Sequence, residues 1–95
     1  MIRKTILITG ASSGIGYEAA TKMIEKGHQI IAPCKDLNRS EETLLRIKNN
    51  FPGKSDIESQ IELPVINLSS LKSIDNFTNK IIAQGTVIDS LVLNA

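Results

Sequence analysis

The stretch Thr9-Gly10-Ala11-Ser12-Ser13-Gly14-Ile15-Gly16 decides the fold, because of what stands on either side of it. Upstream, Thr5-Ile6-Leu7-Ile8-Thr9 is a short β-branched run without polar alternation, the pattern of a strand covered on both faces of a parallel sheet. Downstream, Ile15, Ala19, Ala20, Met23 and Ile24 recur at helical spacing, and Gly27 stands where the helix should close. Gly10 suits a sharp turn at the strand's end, Gly14 a close approach of backbone to a pyrophosphate, and Gly16 with Ala19 tight helix packing. Gly14-Ile15-Gly16-Tyr17-Glu18-Ala19 also satisfies the dinucleotide pattern with alanine in its last place. Unpaired N–H groups and the positive end of the helix dipole would then face phosphates. Gly10, Ser12, Ser13, Gly14, Ile15 and Gly16 are therefore candidate cofactor-binding residues, against the plainer alternative of a glycine turn that binds nothing.

Working outward, Gln29-Ile30-Ile31-Ala32 reads as a second strand that ends near Pro33. Asp36 is placed to cap a second helix carrying Leu37, Leu44, Leu45 and Ile47, with Glu41, Glu42, Arg46 and Lys48 as a solvated face. Residues 49–59 are rich in turn formers and read as a loop. A third strand over 61–68 contains Pro64, which cannot donate to a neighbour and so argues for a sheet edge. Ser70 caps a third helix with Leu71, Ile74, Phe77, Ile81 and Ile82 at helical spacing, ended by Gly85. A fourth strand over 88–93 follows. Strands alternating with helices of this length imply right-handed crossovers, hence an α/β, doubly wound parallel sheet of about four strands and three helices. Strand 3 is expected at one edge and strand 4 at the other. The apolar run Ile88 to Leu93 would be an uncovered edge, a surface for self-association.

The composition sets the bounds. Ninety-five residues suffice for one domain, and a chain of this size should bury roughly two thirds of its unfolded surface. Eleven Lys and Arg against ten Asp and Glu give a net charge of +1, which offers no footprint for nucleic acid or an anionic membrane. The apolar run Ile6 to Ile8 is too short for a signal peptide, and no stretch approaches the roughly 20 residues a membrane span requires. A single cysteine, Cys34, forms no internal disulfide and reads as a small buried hydrophobe, which together point to a cytoplasmic chain. His28 stands alone after Gly27 as a turn residue, and no metal-ligand spacing is present.

Thr9 to Gly16 resembles the Thr-Gly-x-x-x-Gly-x-Gly loop of the short-chain dehydrogenase/reductase family. The likeness continues to Leu93-Asn94-Ala95, similar to that family's Asn-Asn-Ala-Gly strand end with Leu93 in place of the first Asn. It implies a Rossmann-like fold and hydride transfer between a nicotinamide cofactor and a carbonyl or alcohol. At the end of strand 2, where an NAD-binding protein usually carries Asp or Glu, this chain has Cys34 followed by Lys35. A lysine there suits a 2′-phosphate, so NADP(H) is favoured over NAD(H); Asp36, if turned inward, would reverse the preference. Pro33-Cys34-Lys35-Asp36 is similar to the Ala-Cys-Arg-Asp of retinol dehydrogenase-like and protochlorophyllide reductase-like members, with a lysine that keeps the charge and loses the planar fork. The resemblance also puts Asn67 and Leu68 at the adenine and Asn94 with Ala95 at the sheet end beside the cofactor; Asn67 reads equally well as a polar cap between strand and helix. The family's proton donor lies in a Tyr-x-x-x-Lys pattern, and the only tyrosine here, Tyr17, is followed at the fourth position by Thr21. No residue is assigned a catalytic role, and the chain is expected to be the cofactor-binding N-terminal half, inactive alone, or else a stand-alone nucleotide-binding or interaction module.

Overall fold

The computed structural model describes residues 3–93. Four strands, β1 (Thr5–Ile8), β2 (Gln29–Ile31), β3 (Ile61–Glu62) and β4 (Ser90–Val92), form one sheet in the order β3-β2-β1-β4. Every pairing is parallel, with Ile6 opposite Ile30 on one side and Ser90 on the other, and Ile30 opposite Ile61. The sequence-based order is correct at both edges. Helices α1 (Gly14–Glu25) and α2 (Leu37–Asn50) carry the chain from β1 to β2 and onward to β3; α4 (Leu71–Ala83) returns it across to β4. Right-handed crossovers in opposite directions put α4 on the face away from α1 and α2, so the sheet is wound on both sides.

The strand alternation sorts the core. Ile6 and Ile8 are buried while Thr5 and Leu7 are half-buried. Ile6 and Ile8 join Ala20, Ile24, Ile30 and Ile47 in one cluster under α1 and α2, and fully burying such a side chain contributes roughly 1.5–3 kcal/mol. Leu7 faces the other way, toward Ile74 and Phe77 of α4. The α4 side is much less covered, for no residue of α4 is buried. Among the described residues, no helix is long and apolar enough to cross a membrane.

Several sequence expectations need correction. Among the described residues there are four helices, because α3 (Ile57–Gln60) lies inside the segment expected to be loop. Its Ile57 enters the core, and its Gln60 amide donates to the carbonyls of Ile24 and His28, tying the turn to the end of α1. The third strand breaks after Glu62. Pairing resumes beyond it, where the Pro64 carbonyl accepts from Cys34 N–H at 2.8 Å and Ile66 N–H donates to the Cys34 carbonyl at 2.8 Å. The fourth strand is likewise shorter than expected. Of the apolar stripes, Ile15 is 80% exposed, and Leu37, Leu45, Leu71 and Ile82 also lie outside the core. In α1 the inward face is Gly16, Tyr17, Ala20 and Ile24, and in α2 it is Thr43 and Ile47. Ile15 itself sits in the first turn of α1.

Helix ends follow the sequence signals. The Asp36 carboxylate accepts from Arg39 N–H at 2.7 Å, and the Ser70 hydroxyl accepts from Ser73 N–H. At the end of α1, Gly27 N–H bonds the Ile24 carbonyl and His28 N–H the Met23 carbonyl, the two-bond closure expected of a C-terminal glycine.

Candidate cofactor site

The loop between β1 and α1 turns twice through backbone that side chains disfavour, at Gly10 (φ 67°) and Gly14 (φ 59°). A Cβ built at Gly14 would meet nothing within 4 Å, so the space beside this backbone is open to a ligand. Ser13, at the cap position of α1, makes no side-chain hydrogen bond to the helix. The first turn of α1 thus keeps the orphan N–H groups every helix start carries, together with the positive end of the dipole. These are the features a pyrophosphate requires, and the residues present fit one.

Beside the loop lies a cavity of about 280 Å³ lined by Thr9, Gly10, Ser12, Pro33, Cys34, Lys35, Arg39, Ile66 and Leu68. Of the sequence-nominated residues, the fold therefore gathers Gly10, Ser12, Cys34, Lys35 and Leu68 around one space, with Ser13, Gly14, Ile15 and Gly16 following at the start of α1. Asn94 and Ala95 lie outside the described residues. Asn67 is not in the lining; its side-chain oxygen accepts from both the N–H and the hydroxyl of Ser69, and its own N–H donates to the Ser73 hydroxyl. That arrangement is a polar cap between β3 and α4. An apolar cavity shares Thr9, Pro33, Ile66 and Leu68 and continues along the α4 face to Phe77 and Leu91.

Charge at the site comes from two cations. Lys35 is exposed at the rim, while Arg39 is half-buried and directs Nη1 toward the Ser12 hydroxyl at 3.4 Å. Asp36, the nearby carboxylate, is engaged in capping α2 and is absent from the lining. Cys34 is buried, and its thiol donates to the Ala32 carbonyl. Burial pushes its pKa up and outweighs the opposing pull of the Arg39 charge, so the thiol stays protonated and unreactive at neutral pH.

The sequence does not single out Arg39, and Arg46, exposed as expected, nevertheless makes contacts the sequence does not announce. A usable signal existed: residues 39, 43, 46 and 50 fall on one face of α2, and that face meets α1 and the loop. Arg46 Nη1 donates to the Ser12 carbonyl at 2.8 Å, and its guanidinium lies 4.2 Å from the centre of the Tyr17 ring. Tyr17, in turn, is buried and takes the Asn50 amide on its hydroxyl.

The model of the short chain dehydrogenase family matches residues 4–95. The chain belongs to this family. Among curated short-chain dehydrogenase relatives, the WW domain-containing oxidoreductase of Drosophila melanogaster is 37% identical over 92 residues, covering 97% of this chain and 22% of the relative. Retinol dehydrogenase 13 of Mus musculus is 32% identical over 92 residues, covering 97% of this chain and 26% of that protein. Menthone neomenthol reductase from Mentha piperita superposes with a TM-score of 0.86 at 23% identity, over 100% of this chain and 32% of the reductase, a likeness of fold. The chain therefore spans about a quarter of the length of the curated relatives it matches. The family is one of oxidoreductases, and the retinol dehydrogenase likeness expected from Pro33-Cys34-Lys35-Asp36 is matched by these relatives.

Proposed function

We propose that residues 1–95 form the NADP(H)-binding part of a short-chain oxidoreductase, whose complete protein passes a hydride between the nicotinamide and a carbonyl or alcohol. One observation carries the cofactor preference: two cations, Arg39 and Lys35, stand on the cavity beside the glycine loop, and the nearby carboxylate of Asp36 is spent on a helix cap. A 2′-phosphate placed there gains charge-assisted hydrogen bonds, whereas the ribose hydroxyls of NAD(H) find no carboxylate among the lining residues. In this reading Gly10, Gly14 and the first turn of α1 take the pyrophosphate, and Leu68 with Ile66 lies against the adenine. Bound cofactor supplies the hydride, and the residues described here bind and orient it.

Tyr17 is not the proton donor in this reading, since it is buried against Arg46 and bonded to Asn50. The 95 residues alone are proposed to bind dinucleotide without turnover. Fluorescence titration with NADPH and NADH tests the preference: tighter binding of NADPH is expected, and tighter binding of NADH would overturn it. Reduction of carbonyl substrates by the 95-residue chain would overturn the assignment of chemistry elsewhere. A second reading, pairing through β4, is favoured by the exposure of Leu91 and Leu93 along that edge. Concentration-dependent sedimentation tests it, and a chain monomeric at high concentration would refute it.

A further inference from the structure

We propose that Arg46 is a positioning residue for the phosphate-binding loop, one that fixes a peptide plane without touching the cofactor. The proposal rests on the cofactor-binding reading above. Arg46 is an exposed residue in the third turn of α2, yet it makes two directed contacts. Its guanidinium stacks on Tyr17, and its Nη1 donates to the Ser12 carbonyl. Tyr17 is itself held from both sides, by burial in the α1 face and by the Asn50 amide one turn beyond Arg46. The guanidinium therefore bridges a rigid pair of helices to a loop residue.

The consequence follows from peptide geometry. The Ser12–Ser13 bond is trans, so the Ser12 carbonyl and the Ser13 N–H point in opposite directions across one plane. Holding the carbonyl toward α2 turns the Ser13 N–H away from α2. The next carbonyl, that of Ser13, is drawn into α1 by Tyr17 N–H at 3.3 Å. Two successive carbonyls are thus withdrawn from the ligand side, leaving the N–H groups at the start of α1 toward an anion. Without Arg46, the Ser12 carbonyl loses its side-chain partner, and a peptide plane that tilts this oxygen toward the pyrophosphate repels it.

Arg39 works differently. It lies seven residues earlier on the same face, about 10 Å along the helix axis, and lines the cavity itself. The two arginines therefore carry different signatures. Loss of Arg46 weakens NADPH and NADH by the same factor, because both contain the pyrophosphate, whereas loss of Arg39 discriminates between them.

The test uses the full chain, with Arg46→Met and Arg46→Lys compared with wild type by titration with NADPH and NADH. Arg46→Met retains the alkyl packing on Tyr17 and removes the donor; about 3- to 30-fold weaker binding of both dinucleotides is expected. Arg46→Lys keeps a single donor, and partial recovery for both ligands is expected. Unchanged affinities in Arg46→Met with wild-type binding intact would overturn the positioning role and leave the cofactor reading standing. Weakening confined to NADPH would also overturn it, since Arg46 would then be meeting the 2′-phosphate. A wild-type chain that binds neither dinucleotide overturns the cofactor reading and this proposal together. If Arg46→Met fails to fold, Arg46→Lys decides: equal weakening of both ligands supports the role, and wild-type affinity overturns it.

Discussion

Replacing Arg39 by Met should separate the two nicotinamide cofactors. Arg39 is half-buried, and its bond to the Ser12 hydroxyl is long at 3.4 Å, so turning the guanidinium toward a phosphate sacrifices little. A hydrogen bond to a charged group contributes roughly 1.5–3 kcal/mol, which corresponds to about 10- to 150-fold in NADPH affinity. Lys35 is exposed, and exposed ion pairs contribute roughly 0.2–1 kcal/mol, so Lys35→Met should cost only about 1.5- to 5-fold. NADH lacks the phosphate and should bind both variants as it binds wild type. The assay is fluorescence titration of wild type and the two variants with each cofactor, at low and high salt. Salt should weaken wild-type NADPH binding more than NADH binding and shrink the Lys35 effect further than the Arg39 effect. Equal losses for NADPH and NADH in Arg39→Met, or a larger NADPH loss in Lys35→Met than in Arg39→Met, would refute the reasoning.

Three further outcomes follow from the same packing. Ile24→Ala, at a fully buried position between α1 and the sheet, should lower unfolding stability by about 2–5 kcal/mol in a urea titration, and a loss below about 1 kcal/mol would contradict the core assignment. Cys34 should react with a thiol reagent far more slowly than free cysteine near pH 8, and more slowly still with NADPH bound. Because burial raises its folded pKa, its contribution to stability is complete below the unfolded value and is lost as pH rises through the folded one, so the alkaline decline should be smaller in Cys34→Ala. Gln60→Glu should destabilise by about 3–5 kcal/mol at neutral pH, since a buried carboxylate would face the Ile24 and His28 carbonyls, and should recover as pH falls; a pH-independent loss would argue against that cause.

How far the fold was legible depended on element length. β1 and the glycine loop were readable because an unbroken β-branched run and three glycines in register admit few other structures. α3 was not, because four residues cannot display a 3.6-residue period; only the burial of Ile57 and Gln60 against α1 reveals why the turn forms. Pro64 was read correctly as an edge marker, yet the pairing beyond it depends on backbone bonds to Cys34 that no side-chain pattern encodes. Leu37 and Leu45 misled for a related reason: hydrophobicity marks what can be buried, and the direction α2 faces is set by Thr43 and Ile47.

The same reasoning explains why half of the candidate site escaped the sequence. Glycines announce themselves, because a left-handed backbone excludes nearly every other residue. Arginines do not, because a guanidinium on a helix is compatible with solvent at every position. What separates Arg39 and Arg46 from the neighbouring charges is that α2 crosses above the loop, so one of its faces carries cations directly over Ser12. Ser12 consequently receives both, one on its hydroxyl and one on its carbonyl. A single loop residue thus links the cation proposed to select the cofactor with the cation proposed to shape its phosphate cradle. If both assignments hold, a substitution at Ser12 that alters the loop backbone, such as Ser12→Pro, should weaken both dinucleotides. Ser12→Ala, which removes only the hydroxyl, should leave NADH binding unchanged.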